Sequence, residues 1–198
     1  MSIVRYSNPR ANHGDSGAEV LVQGASVCAD VAMLDSPKRK GTTWAPQGST
    51  PVMEVTGKRF SLNMISALCA QGEFRFMVHE GAVTAIVFRE FLSRLMPGAS
   101  GPVFLVLDGH PVHKARLVQE FVKAQKGRLK LFYLPPYSPH QNPDEQVWAH
   151  VKRSVSRRLV QSKDDMKRLA IGALRRIQKL PALVKSFFRN PECQYASM

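Results

Sequence analysis

The sequence lacks any apolar run long enough to cross a lipid bilayer. A transmembrane helix needs roughly 18 to 20 consecutive apolar residues, and no uncharged apolar stretch of the chain approaches that length. The first residues, MSIVRYSNPRANHGDSG, also lack the hydrophobic segment of a secretory signal peptide. We therefore expect a soluble, cytoplasmic protein with no membrane partner.

Cysteine is scarce as well. The three cysteines, Cys28, Cys69 and Cys193, are far apart in the chain and form no CxxC pair. Disulfide frameworks and zinc sites need more cysteines, or closer ones, than this. We expect all three thiols to be reduced and to have structural roles.

Acidic residues are few compared with basic ones, 15 against 28, which gives a net charge of +13. Nearly all of the excess lies from Lys114 onward, where 18 basic residues stand against 6 acidic ones. Such a surface attracts polyanions, and nucleic acid is the first partner to consider. The length of 198 residues suits one domain with a short extension.

The hydrophobic pattern predicts an α/β domain with a mixed sheet. A poorly ordered leader is expected over residues 1–18, and strands over 19–30, 41–51, 59–68, 73–78, 102–109 and 129–136. The last two have the composition of central strands that are buried on both faces. Helices are predicted over 84–96, 112–126, 142–159, 164–180 and 181–190. The strand, helix, strand order from 102 to 136 predicts a parallel crossover that brings Leu107 next to Tyr133.

Three acids stand at positions that suit a metal site. Asp108 follows an apolar strand, at the carboxyl end where ligands bind in open α/β sheets, although Asp-Gly is also ordinary turn chemistry. Glu145 lies at a predicted helix start, where Asn142, Pro143 and Glu145 form a capping box that needs no functional explanation. Asp30, at the end of the first predicted strand, is the natural third member. Three carboxylates on separate elements suffice to hold two hard cations.

Two long motifs resemble a known family. VLDGHPVHKA and LPPYSPHQNPDEQVWAHVKR, with 36 residues between the Asp of the first and the Glu of the second, resemble the second and third catalytic motifs of mariner-type transposases and their bacterial insertion-sequence relatives, the DDE superfamily. GTTWAPQGSTP and RFSLNMISAL also look like segments of the bacterial group. The resemblance covers residue 30 to the C-terminus. It implies a ribonuclease-H-like fold, a mixed five-stranded sheet flanked by helices, with a basic helical extension at the C-terminus.

The resemblance implies a catalytic and metal-binding triad of Asp30, Asp108 and Glu145. The first acid should lie fourteen residues before Trp44, which is Asp30. Asp35 competes for this role, but the pattern predicts a loop there with no strand before it. In relatives a Glu usually follows the first acid, whereas Val31 stands here.

Cofactors and accessory residues follow from the same resemblance. It implies two Mg²⁺ or Mn²⁺ ions, with accessory roles for Asn142 and for His113, the latter as a metal ligand or a phosphate contact. The alternative for His113 is a histidine at a helix start that only packs against its neighbours. Basic residues of the C-terminal part are expected to contact DNA phosphates with little sequence preference, the alternative being a solvated helix face. They are Lys152, Arg153, Arg157, Arg158, Lys167, Arg168, Arg175 and Arg176.

On this interpretation, residues 19–160 are a transposase catalytic domain and residues 161–198 are basic helices packed on it. The expected partners are double-stranded DNA, at transposon ends and target, and a second copy of the chain. A helix-turn-helix region is expected to be separate from this chain or missing, and the protein to act at the bacterial nucleoid. Two alternatives stay open: an inactive transposase remnant that only binds DNA, and an unrelated hydrolase of small phosphoesters.

Overall fold

The computed structural model describes residues 26–35, 59–97, 99, 101–158 and 160–196. The leader over 1–18 and the short strand expected over 41–51 lie outside these residues. None of the described helices is long and apolar enough to span a membrane. All three cysteines are buried free thiols.

The described residues form five strands and five α-helices. The strands are β1 (Ser26–Asp35), β2 (Ser61–Cys69), β3 (Phe74–His79), β4 (Val103–Leu107) and β5 (Leu129–Tyr133). The helices are α1 (Ala85–Leu95), α2 (Arg116–Ala124), α3 (Asp144–Ser156), α4 (Lys163–Gln178) and α5 (Pro181–Phe187). Short 3₁₀ turns cover Pro111–Lys114, Pro139–Gln141 and Pro191–Ala196.

The strands make one mixed sheet in the order β3-β2-β1-β4-β5. β1, β2 and β3 are antiparallel neighbours, whereas β4 runs parallel to both β1 and β5. Leu107 pairs with Tyr133, so the predicted parallel crossover is confirmed. The mixed five-stranded sheet flanked by helices is confirmed with it.

Helices cover both faces of the sheet because side chains alternate along each strand. On one face, Val27 and Ala29 of β1 share a core with the buried residues of α1 and α2. On the other face, Cys28 and Leu34 of the same strand share a core with α3, α4 and α5. The C-terminal helices are therefore part of the hydrophobic core and not an appendage.

Two strand predictions need correction. β1 continues to Asp35, so Asp30 lies in the middle of a strand and Asp35 ends that strand instead of lying in a loop. β4 and β5 are not buried on both faces. β5 is the sheet edge in the described residues, and its Phe132 is half-exposed.

The helix predicted over 112–126 is interrupted. Ala115 has an extended backbone with ψ 142°, which separates the 3₁₀ turn Pro111–Lys114 from α2. By contrast, α1 agrees with its prediction, because the Thr84 hydroxyl accepts a hydrogen bond from the Val87 N–H at 3.4 Å and caps the helix. The capping residue was readable from the sequence, whereas the break at Ala115 was not.

Candidate active site

Asp30 and Asp108 lie side by side because β1 and β4 are parallel neighbours. The last aligned pair of this ladder is Ala29 with Leu107, so each acid is the next residue along its strand. Paired strands are about 4.8 Å apart, which places the two acids next to each other where the parallel ladder between β1 and β4 ends. Asp35 is five residues further along β1, roughly 16 Å away at the rise of a strand, and pairs with Ser61.

Asp30 is held from three directions in a nearly closed environment, with 5% of its surface exposed. The N–H of Val31 donates to Oδ1 at 2.6 Å. The side-chain amide of Asn142 and the indole N–H of Trp148 donate to Oδ2 at 3.0 and 3.3 Å. Trp148 is thus a core residue and a donor at once, and Asn142 contacts the site through Asp30.

The electrostatics of Asp30 favour its neutral form. Burial is the largest cause, followed by the negative charge of Asp108, and together with Glu145 they raise the pKa of Asp30 to about 7. The hydrogen bonds from Val31 and Trp148 oppose this increase. A cation between the acids would remove the repulsion, so the site is better suited to bound metal than to three free carboxylates.

Asp108 has the opposite character. Burial disfavours its charge, but the hydrogen bonds from His113 and His110 outweigh burial and lower the pKa of Asp108. His113 Nδ1 lies 2.9 Å from Asp108 Oδ1, and the His113 side chain is fully buried. This ring is turned into the protein and does not reach outward as the expected metal ligand or phosphate contact would.

Glu145 lies in the first turn of α3 and is exposed. The capping box predicted around it is not formed. In a capping box the Glu145 side chain would accept a hydrogen bond from the Asn142 N–H. That N–H donates instead to the Pro139 carbonyl at 3.0 Å, while Asn142 Oδ1 accepts from the Asp144 N–H at 3.1 Å. The Glu145 carboxylate is therefore not used by the helix cap, and its charge reaches Asp30.

Sequence reasoning missed a fourth acid, Asp144. It is fully buried, and Ser66 Oγ donates to its Oδ1 at 2.5 Å. Within the described residues its Oδ2 has no hydrogen-bond partner. Burial, and then the charge of Asp30, raise the pKa of Asp144 well above its usual value. Helical spacing could have indicated this burial, because position 144 lies on the same face of α3 as Val147 and Val151.

The donor set fits a hard divalent cation, since carboxylate oxygens are the ligands that Mg²⁺ and Mn²⁺ prefer. The spacing is not that of a finished metal site. No three His, Cys, Asp or Glu side chains of the described ranges stand close enough together to hold an ion as they are. Glu145, exposed on the first helical turn, is the member that would have to approach Asp30 and Asp108.

The expected DNA-contacting residues divide into two groups. Lys167 and Arg168 already form ion pairs on α4, with Glu80 at 2.6 Å and with Asp165 at 2.6 Å. The others have exposed side chains on or just after α3 and on α4, and they are Lys152, Arg153, Arg157, Arg158, Arg175 and Arg176.

Comparison with known proteins agrees with this arrangement. A family model described as DDE superfamily endonuclease matches residues 25–167, well over half of the chain. No curated protein sequence matches the chain.

Solved transposase structures share the fold. The Mos1 transposase paired-end complex with left transposon end matches with a TM-score of 0.57 and 16% identity, over 83% of this chain and 55% of that chain. The Mos1 mariner paired end complex with Mn gives 0.56 and 18%, over 83% and 56%. The catalytic domain of Mos1 mariner transposase gives 0.51 and 16%, over 82% and 79%. These matches confirm the ribonuclease-H-like fold, and the chain spans about half the length of the transposase in the paired-end complexes.

Proposed function

Since the chain belongs to the DDE superfamily endonucleases, we propose that it is the catalytic domain of a mariner-like transposase of the bacterial insertion-sequence group. It cleaves DNA and joins DNA strands with divalent metal ions. One observation carries the proposal: Asp30 and Asp108 directly follow the last aligned pair of the parallel ladder between β1 and β4, and the charge of Glu145, in the first turn of α3, acts on Asp30.

Asp30, Asp108 and Glu145 are the residues that would hold two Mg²⁺ or Mn²⁺ ions. In sites of this class, two bound ions supply activation of a water for in-line attack on a phosphodiester and stabilisation of the departing 3′ oxygen. The remaining roles belong to the chain itself. Asn142 and Trp148 donate to Oδ2 of Asp30, so two hydrogen bonds hold the helix that carries Glu145 against the strand that carries Asp30.

DNA is the proposed substrate at both transposon ends and target. Two of the structural relatives are a complex with a left transposon end and a paired end complex with Mn, which supports this choice. The exposed basic side chains of α3 and α4 would neutralise backbone phosphates without reading sequence. Residues 19–160 form the proposed catalytic unit with 161–198 packed on it. A second copy of the chain completes the proposed assembly in the cytoplasm, at the nucleoid.

The test is nicking of supercoiled plasmid by the purified chain. We expect relaxed DNA with Mg²⁺ or Mn²⁺ and none with a chelator. Glu145→Gln should lower the rate at least 100-fold, because the amide loses the charge that a cation needs. Glu120→Gln makes the same change at an exposed acid of α2 and should act like wild type. Equal loss in both variants, or cleavage that Glu145→Gln leaves intact, would contradict the triad.

A second candidate function is DNA binding without cleavage. The observation in its favour is that the acids of the described ranges are not yet close enough to hold an ion. In that case plasmid DNA would bind and shift in a gel, with a salt dependence set by the basic helices. Neither Mg²⁺ nor Mn²⁺ would then yield nicked product.

A further inference from the structure

His113 is packed so that only one of its ring nitrogens meets a polar partner within the described residues. Its side chain is fully buried, with Nδ1 2.9 Å from Asp108 Oδ1 and 3.4 Å from the backbone carbonyl oxygen of the same residue. The ring lies against Phe88 of α1, with a centroid distance of 4.5 Å. Its Nε2 is buried and has no hydrogen-bond partner among the described residues. Since a carboxylate only accepts, Nδ1 carries the proton that joins the two side chains.

The backbone around His113 is held as firmly as its ring. The Tyr133 hydroxyl donates to the His113 carbonyl at 3.2 Å, and the Gln119 amide donates to that hydroxyl at 3.0 Å. These contacts join the 3₁₀ turn to β5 and α2. The imidazole is thus fixed by three elements before any ligand arrives.

Two donors of the described residues are directed at the same oxygen of the Asp108 carboxylate. Oδ1 lies 2.9 Å from His113 Nδ1 and accepts, at 3.1 Å, from the backbone N–H of His110. Two donors on one oxygen restrain rotation of the carboxylate about its Cβ–Cγ bond. Oδ2 is then the oxygen left to bind a ligand.

We propose that His113 is a positioning residue, which acts through Asp108 by holding Oδ1 so that Oδ2 meets a divalent cation in one orientation. This rests on the metal-dependent function proposed above. Partners that orient a ligating side chain generally change metal affinity by about 10- to 100-fold when they are removed. His113 has no contact with the substrate in this role, and it is not itself a ligand.

Three substitutions separate orientation from bulk. In His113→Asn the amide nitrogen stands about where Nδ1 stood, so a donor to Oδ1 remains. In His113→Gln the amide reaches toward the Nε2 position, and His113→Leu keeps the bulk but has no donor. Asn is the smallest of the three and leaves a cavity beside Phe88, so it should be the least stable in thermal unfolding. The variant that keeps a donor to Oδ1 is therefore expected to be the least stable of the three.

The readout is the affinity of the full chain for Mn²⁺, from the electron paramagnetic resonance signal of the free ion. We expect His113→Asn to bind within about 3-fold of wild type, and His113→Gln and His113→Leu to bind at least 10-fold more weakly. Affinities that follow thermal stability, with Asn the weakest, overturn the proposal, and so do unchanged affinities for Gln and Leu.

Asp108→Asn identifies the site that is being measured. If wild type shows no Mn²⁺ binding that Asp108→Asn removes, the positioning role is refuted. If wild type binds Mn²⁺ through Asp108 but never nicks DNA, the proposed function fails while the result for His113 stands. The two failures are therefore distinguishable.

Discussion

The carboxyl group of Asp30 combines burial with two acidic neighbours, and this couples its protonation to folding. Its pKa is near 7 in the folded protein, whereas an unfolded chain releases the same proton near pH 4. Between these values the folded state holds a proton that the unfolded state has lost. The free energy of unfolding therefore falls as the pH rises from about 4 to about 7.

We predict that the metal-free protein is less stable at pH 8 than at pH 5, and that Asp30→Asn reduces this loss. About two units of the pKa difference lie above pH 5, so the loss attributable to Asp30 is worth about 3 kcal/mol at most. Asp35→Asn, at the exposed end of the same strand, is the matched control and should keep the wild-type pH dependence. Urea unfolding at several pH values measures the effect. If the free energy of unfolding changed equally with pH in wild type and Asp30→Asn, Asp30 would have the same pKa in the folded and unfolded states.

At the scale of elements, the hairpin between β2 and β3 sets the position of α5. Gly72 has φ +97°, and a Cβ built there would lie 2.9 Å from the Pro181 carbonyl oxygen. Both the backbone conformation and the close approach to the first residue of α5 require glycine.

We predict that Gly72→Ala lowers the free energy of unfolding by about 3 kcal/mol, from backbone strain and the steric conflict together. Gly127→Ala is the matched control, since it has φ +86° but open space around its Cβ. It should cost about 1 kcal/mol, from strain alone. Chemical denaturation compares the two variants. Equal losses in the free energy of unfolding would mean that the steric conflict with α5 is relieved at no energetic cost.

Much of the element order was predictable, because local chemistry decides it. The strands predicted over 59–68 and 73–78, the helix from residue 84 and the pairing of Leu107 with Tyr133 all follow from short patterns. What depends on distant contacts was not predictable. The exposure of β5 is a consequence of its edge position, and the extent of β1 is fixed by pairing with β2 up to Ser61.

The candidate site shows the same division. The sequence motifs singled out Asp30, Asp108 and Glu145, and the fold places Asp30 beside Asp108 with Glu145 in electrostatic reach. Asp144 was overlooked because an acid next to Glu145 reads as a solvated helix start, and only the packing of α3 against Ser66 reveals its burial. The ring of His113 is buried against Asp108 and Phe88, contacts that depend on the packing of distant elements and not on the local sequence.

Over the whole molecule, the net charge of +13 attracts DNA, but only basic side chains that are not already in ion pairs are free to contact its phosphates. We predict that Arg175→Ala with Arg176→Ala reduces the slope of log affinity against log salt by about 2, because each phosphate contact contributes roughly 0.9. Lys167→Ala with Arg168→Ala removes the same charge from the same helix. It should change the slope by less than about 1, because these cations are engaged by Glu80 and Asp165.

Fluorescence anisotropy of a labelled duplex at several salt concentrations provides both slopes. An equal change in the salt slope for the two double variants would mean that ion pairing on α4 does not decide which basic side chains contact DNA. A larger change for Lys167 and Arg168 would place the DNA-contacting face near Glu80.

Asp30, Asp108 and Glu145 are proposed to bind a divalent cation together, and a crystal structure of the chain grown with Mn²⁺ would show whether they do. The anomalous signal of Mn²⁺ locates the ion without reference to the protein atoms. We predict a peak about 2.1 Å from carboxylate oxygens of Asp30 and Asp108, with Glu145 drawn in toward it. A Mn²⁺ peak away from these side chains, or none at saturating Mn²⁺, would contradict the account.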